Sequence, residues 1–193
     1  MAHLVSHTFA DNTTIEIKEN EMSWLNLLLY RLSAYCRCRV INGPDDQPYL
    51  ERYHLLRLPL GYQVYLHRFV ASDPGRGLHN HPWKHAISLV LSGGYEETRM
   101  LDAKAGNALH SRWLHAGRFN LISGEVFHRV NIPENSECWS LFIHAPRAKA
   151  WGFIQQQEYR DHNEIVAQSS NPLWWKHAQR PIHCPQMRLP CSI

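Results

Sequence analysis

The chain between residues 62 and 144 is a succession of short β-rich runs separated by turn residues. Combinations such as Asp73-Pro74-Gly75 and Ser123-Gly124 punctuate it at short intervals. Many short strands with regular turns predict a β-sandwich or barrel, and closing the sheet removes edges that would otherwise favour aggregation. The predicted strands are Tyr62–Val70, Leu78–Pro82, His85–Leu91, Tyr95–Leu101, Ala108–Trp113, Phe119–Ile122, Phe127–Ile132 and Cys138–His144.

A predicted helix precedes this region. Its apolar residues recur three or four positions apart, the spacing of one helix face, and Ser23 is a suitable N-cap. The turn sequence at 42–46 then ends the helical segment. We therefore predict one domain in three parts: an N-terminal helical cap over 1–54, a barrel over 55–146, and a C-terminal extension over 147–193 that packs on the barrel as a strap. The apolar stripe of the helix consists of Trp24, Leu27, Leu28, Leu32 and Tyr35.

Composition limits the partners and the compartment. The 193 residues suffice for one sizeable core, and the formal net charge of +3 comes from scattered basic residues, so no nucleic-acid partner is predicted. The five cysteines are odd in number and contain no CxxC pair, which fits a reducing cytoplasm. The most apolar stretch, Trp24 to Leu32, is too short to cross a bilayer and follows several glutamates. We therefore expect a soluble, cytoplasmic protein with neither a membrane span nor a signal peptide.

Histidines supply the candidate metal ligands. Alternation along a strand points His79 and His81 to the same side, so the two imidazoles can chelate one ion. His128, on a later strand after a glycine turn, supplies a third imidazole, and three neutral imidazoles suit a divalent transition metal with open coordination positions. Asn80 is expected to face outward. Every second residue after His81 is expected to point into the barrel as well, and this set is largely apolar: Trp83, His85, Ile87, Leu89 and Leu91.

These motifs resemble those of the cupin superfamily. The first cupin motif, a glycine-led HxH followed later by a glycine, is similar to the stretch Gly75 to Gly93. The second is similar to Gly117 to Asn131, with Gly124 and His128 in matching places. The resemblance covers residues 60–146 and implies an all-β, double-stranded β-helix (jelly-roll) barrel, here with an N-terminal helix and a C-terminal extension. The HxHPW wording also resembles an uncharacterised subgroup of bacterial and phage cupin-like proteins, which implies no activity.

One departure from the cupin pattern concerns the glutamate that four-ligand cupins carry shortly after the second histidine. This chain has His85 or Ala86 there, and strand alternation favours His85. His85 is then a fourth ligand, a catalytic proton carrier beside the metal or a packing residue, and we favour the catalytic role. The missing glutamate weakens the analogy to oxalate-type manganese cupins, and the 2-His-1-carboxylate pattern fails because His81 replaces its aspartate. What remains resembles the three-histidine site of thiol dioxygenases, or a four-histidine variant.

These features predict a metal-dependent cupin-like enzyme, with a non-haem Fe(II) dioxygenase or hydroxylase as the leading hypothesis. Neutral ligands leave the site cationic, which favours a small anionic substrate. Fe(II) is the expected ion, with Zn, Mn, Ni and Cu as alternatives. Tyr62, Arg68 and Trp83 are the candidate substrate-binding residues, and Arg57 is a second candidate for a substrate carboxylate. The alternatives are a metal-assisted isomerase, epimerase or lyase, and a barrel that binds a ligand without turnover. A small molecule is the expected partner, and a homodimer stays open.

Overall fold

Short strands account for most of the chain that the structure describes. A computed structural model describes residues 24–100, 108–166, 171 and 173–191. Its helices are α1 (Trp24–Ser33) and α2 (His162–Ile165), and 3-10 turns lie at Pro59–Gly61, Trp174–Lys176 and Pro185–Met187. Neither described helix has the length and apolarity that crossing a lipid bilayer requires. The strands are β1 (Arg37–Asn42), β2 (Pro48–Arg57), β3 (Gln63–Phe69), β4 (Leu78–His79), β5 (His85–Ser92), β6 (Gly94–Met100), β7 (Leu109–His115), β8 (Phe119–Ser123), β9 (His128–Asn131), β10 (Cys138–His144), β11 (Gly152–Gln155) and β12 (Glu158–Asp161).

These strands form two antiparallel sheets. The first sheet has the order β1-β2-β3-β10-β5-β8, and the second has the order β12-β11-β4-β9-β6-β7. The chain passes repeatedly from one sheet to the other, so that strands far apart in sequence become neighbours, as β10 does between β3 and β5. This is the arrangement of a jelly roll. The predicted all-β jelly-roll barrel is therefore confirmed.

The core lies between the sheets because alternate residues of each strand point inward. One buried cluster joins Leu50, Phe69 and Val90 of the first sheet to Tyr95 and Val130 of the second. A second cluster is largely aromatic and lies beside the histidines described below. It contains Tyr65, Trp83, Ala86, Ile122, Phe142 and Ala145.

The outer face of the first sheet is also covered. Tyr53 and Trp139 pack there with Leu29 and Tyr30 of α1. The C-terminal residues join this layer through backbone hydrogen bonds, from Ile182 N to Ala34 O at 2.9 Å and from Cys38 N to Gln179 O at 2.9 Å. Helix α1 and the described residues 173–191 therefore cover this face together.

The N-terminal part differs from the prediction in two ways. Helix α1 is present, but Trp24, Leu28 and Leu32 of its predicted buried stripe are 75%, 40% and 56% exposed, and the predicted N-cap Ser23 lies outside the described residues. The segment assigned to the helical cap also contains β1 and β2. The turn at 42–46 joins these two strands as a hairpin, in which Asn42 pairs with Pro48, so the first sheet begins well before residue 55.

Candidate metal centre

Three histidines converge on one point inside the barrel. His79 on β4 and His128 on β9 are direct partners across the second sheet, and His81 follows two residues after His79. The ring centroids are 4.9 Å apart for His79 and His81, 4.8 Å for His79 and His128, and 4.9 Å for His81 and His128. One nitrogen from each ring lies within 4.8 Å of the others. These three residues, the histidine triad, could hold a metal ion, as the sequence predicted.

A buried carboxylate orients one of the three ligands. Oε1 of Glu97, on β6, lies 2.8 Å from Nδ1 of His128. Because a carboxylate can only accept, the imidazole proton lies on Nδ1 and the Nε2 lone pair points toward His81, whose Nε2 is 2.7 Å away. A second carboxylate has a similar place behind another ligand, since Asp73 Oδ2 lies 3.7 Å from His79 Nδ1 and accepts from Val130 N at 2.8 Å.

Glu97 is held by several donors at once. It is fully buried, and its oxygens accept from Asn120 Nδ2 at 3.1 Å and from Arg112 Nη2 at 2.8 Å. Arg99 Nε adds an ion pair at 2.9 Å. Burial by itself would raise the pKa of Glu97, but the hydrogen bonds from His128, Arg99 and Asn120 outweigh it and lower the pKa below its usual range. Glu97 is therefore an ionised, rigidly held anion behind the triad.

Burial keeps two members of the triad in the form that binds metal. It lowers the pKa of His79 and of His81 well below the ordinary histidine value, and the neighbouring imidazoles add to the effect. Both rings are therefore neutral near pH 7, with a nitrogen lone pair available for a cation.

Trp83, a predicted substrate-binding residue, lies directly against the triad. Its ring stacks on His81 with centroids 4.4 Å apart, and its other neighbour is His144, also at 4.4 Å. Trp83 Nε1 is buried without a hydrogen-bond partner among the described residues. The indole thus forms an aromatic wall beside the triad, and it carries an unused donor.

The predicted inward position of His85 is wrong. His85 is exposed, and its Nε2 is 2.8 Å from the hydroxyl of Tyr62, another predicted site residue, which is partly buried against the aromatic cluster of Tyr65 and Trp83. The alternation that placed His85 inside does not continue from His81, because β4 belongs to the second sheet and β5 to the first. On β5 the buried residues are Ala86, Ser88, Val90 and Ser92. His85 and Tyr62 therefore do not join the triad.

Arg68 and Asn80 also lie elsewhere than predicted. Arg68 is on the outer face of β3, 1% exposed, where it forms ion pairs with Glu51 and Glu137. The inward residue is its neighbour His67, so Arg68 cannot reach the triad. Asn80 is buried rather than outward-facing, because its Oδ1 accepts from Gly152 N at 2.8 Å under β11.

Besides Asp73, Glu97 is a residue of this site that was not identified from the sequence. It lies in no metal-binding motif, and its contact with His128 exists only because β6 pairs with β9. The one signal in the sequence is its place inside an otherwise strand-like run, where a carboxylate facing inward needs a partner.

No family model and no curated protein matches this sequence. Many solved structures are similar, among them oxalate oxidase, with 22% identity, a TM-score of 0.40, and coverage of 49% of this chain and 47% of that one. Hydroxypropylphosphonic acid epoxidase from S. wedmorenis matches with 12% identity, a TM-score of 0.43 and coverage of 55% of each chain. The Schizosaccharomyces pombe Cnp3 cupin domain matches with 10% identity and a TM-score of 0.38, covering 50% of this chain and 60% of that one. The chain spans about half the length of the first structures it matches. Its own strand order gives the jelly-roll fold that the two motifs predict.

Proposed function

We propose that this protein is a metal-dependent enzyme whose ion is held by His79, His81 and His128, and that it oxidises a small anionic molecule as a non-haem Fe(II) dioxygenase or hydroxylase. The observation that carries the proposal is the convergence of three imidazole rings, all within 4.9 Å of one another, with ionised Glu97 behind one of them.

The donor set favours a redox-active or Lewis-acidic divalent ion with room for further ligands. Three protein ligands leave coordination positions for substrate and water or dioxygen. Neutral ligands keep the full charge of the ion, which attracts an anionic substrate. A bound ion would supply the binding and activation of dioxygen, while the protein supplies position and environment.

The protein residues have separate tasks in this proposal. Glu97 accepts the Nδ1 proton of His128 and fixes its ring, so the Nε2 lone pair keeps one direction. Trp83 and Phe142, whose ring centroids are 5.7 Å apart, form an apolar wall that excludes water from the side of His81. In isomerase, epimerase or lyase chemistry a histidine such as His85 would move the proton, and the exposure of His85 places it away from the triad.

Metal analysis followed by an oxygen assay tests the proposal. Protein purified without chelator should carry close to one transition-metal ion per chain, and Fe(II) reconstituted under anaerobic conditions should support oxygen uptake with thiolate or carboxylate substrates. His79→Ala should lose both properties, whereas His110→Ala, at an exposed histidine of β7, should keep both. Iron-loaded protein that consumes no oxygen with any thiol, diketone or amino acid would contradict the oxygenase assignment, and activity that persists under argon with zinc would favour the isomerase class.

A further inference from the structure

Two arginines lie side by side on the inner face of the first sheet. Arg39 on β1 is the direct partner of Arg52 on β2, and Arg52 is the direct partner of His67 on β3. Directly opposed residues of antiparallel strands share a face, and His67 points into the barrel, where it stacks on Phe142 with centroids 4.6 Å apart. Like charges in this relationship destabilise a sheet unless an anion separates them.

Neither guanidinium has a carboxylate partner among the described residues. The ion pairs of that part of the chain include neither Arg39 nor Arg52. The Arg52 Nε donates to His67 Nε2 at 3.1 Å, and its guanidinium carbon lies 5.5 Å from the centre of the Tyr65 ring. Both arginines are partly buried, and burial lowers the pKa of each.

Three other arginines of this protein are satisfied within the chain, two by carboxylates and the buried Arg188 by the hydroxyls of Ser33 and Tyr53 and the carbonyl of Tyr30. Arg68 lies between Glu51 and Glu137, and Arg112 binds Glu97. Buried charges are normally paired in this way because an unpaired one costs a large desolvation energy. Two adjacent cations without a protein anion therefore indicate a place for an anion from outside the chain.

Unused hydrogen-bonding groups lie along the same row of the sheet. Ser140 on β10 is the direct partner of His67, so the row runs from Arg39 through Arg52 and His67 to Ser140. Ser140 is 1% exposed, and its Oγ has no hydrogen-bond partner among the described residues. A buried hydroxyl without a partner is rare, which points to a polar ligand at this row.

Three stacked rings connect the row to the histidine triad. Tyr65, which contacts Arg52, stacks on His144 with centroids 5.4 Å apart, and His144 stacks on Trp83, which in turn stacks on His81. The C-terminal strap lies over the same region, because Trp174 stacks on Tyr65 at 6.0 Å. Arg52 and His81 therefore lie at the two ends of one stack of rings inside the barrel.

We propose that Arg39 and Arg52 bind the oxyanion of a small organic acid, a carboxylate or a phosphate, whose other end faces the histidine triad. The planar guanidinium matches both oxyanions through paired hydrogen bonds. The direction of the bound acid rests on the function proposed above, whereas the anion site itself does not. This site replaces the role that the sequence analysis assigned to Arg68.

Calorimetric titration with succinate and with inorganic phosphate tests the site, on the full chain both zinc-loaded and metal-free. At least one of the two anions should bind both forms, and the stronger one identifies the oxyanion class. Arg39→Gln and Arg52→Gln should each weaken that binding at least 10-fold, and Arg52→Lys should weaken it less because the charge is kept. Arg118→Gln, at an exposed arginine bonded to His115, should leave binding unchanged. Metal content should stay the same in all four variants.

Thermal unfolding separates this role from a structural one. Removing a guanidinium that has no counter-ion should leave the melting temperature of Arg52→Gln unchanged or raised in the absence of ligand, whereas a structural arginine would lower it. If neither succinate nor phosphate binds, the inference is overturned. It is also overturned if anion binding disappears in His79→Ala but persists in both glutamine variants, because the anion would then sit on the metal. Arginine-dependent binding in a protein that takes up no metal would overturn the proposed function and leave this inference standing.

Discussion

Glu97 Oε1 lies 2.8 Å from Nδ1 of His128, so a buried anion fixes the direction of the ring that completes the histidine triad. Glu97 lies on β6 and His128 on β9, and antiparallel pairing of these two strands creates the contact. The geometry of the candidate metal site therefore depends on a residue outside the triad.

Replacing this carboxylate should weaken metal binding without removing a ligand. Glu97→Gln keeps the shape of the side chain but loses the charge, so metal affinity should fall about 10- to 100-fold. Stability should also fall by about 1 to 3 kcal/mol, because Arg99 and Arg112 lose a buried anion. Metal titration and urea unfolding measure the two effects. Glu96→Gln, at the neighbouring partly buried residue, is the control, and equal metal affinity in both variants would contradict the orienting role.

Removing a ligand should have a larger effect on metal than on folding. His79→Ala and His81→Ala should each lose most of the bound metal while unfolding cooperatively, because the triad is a polar site beside the main apolar clusters. Elemental analysis and circular dichroism check this expectation. Metal stoichiometry that stays at the wild-type value in both variants would show that the ion binds elsewhere.

Gly124 should be needed for the position of His81. A Cβ at Gly124 would lie 1.7 Å from the Trp83 carbonyl oxygen, so Gly124→Ala must displace the segment that carries Trp83 and His81. We expect a loss of about 1 to 3 kcal/mol in the free energy of unfolding and weaker metal binding. Gly75→Ala is the matched control, since a Cβ there meets no atom within 4 Å. Similar unfolding curves for the two variants would contradict the close approach.

The free energy of unfolding should decrease as the pH falls below neutrality, partly because of His144. Burial lowers its pKa to about 4, with Arg52 adding to the shift and a hydrogen bond to the Ala145 carbonyl opposing it. Between about pH 6.5 and pH 4 the unfolded chain takes up a proton that the folded chain does not, so the folded state is destabilised as the pH falls, by at most about 3 kcal/mol. In His144→Gln, urea unfolding at pH 7 and pH 5 should differ less than in the wild type, whereas His110→Gln should keep the wild-type difference.

Arg68 should act in folding and not in substrate binding. Arg68→Met would leave Glu51 and Glu137 buried without their cation, at a cost of about 3 to 5 kcal/mol. Urea unfolding measures this loss, and the folded fraction should keep its metal and its affinity for the probe anions. Arg57→Met, at an exposed residue of β2, should be close to neutral. A stable Arg68→Met variant with impaired anion binding would restore the role predicted from sequence.

Local sequence patterns determined the strands between residues 63 and 144 and the three histidines of the triad. Short β-rich runs with turn residues between them bury their apolar sides by closing into a sandwich or barrel. This inference does not depend on which strands pair. Alternation placed His79 and His81 on one side of the chain, and the glycine turn before His128 offered a third imidazole. Each of these inferences needs only neighbours in sequence or a motif.

Only the tertiary structure decided which groups surround the triad. Alternation of side chains holds within a strand, but the chain changes sheets between His81 and His85. Which residues of β5 point inward therefore depends on the strands that pair with β5. On β3 both faces are covered, and only the packing of α1 and the C-terminal residues shows that Arg68 faces away from the barrel interior. Glu97 and Arg52 gained their roles from pairing between distant strands, which no local pattern encodes.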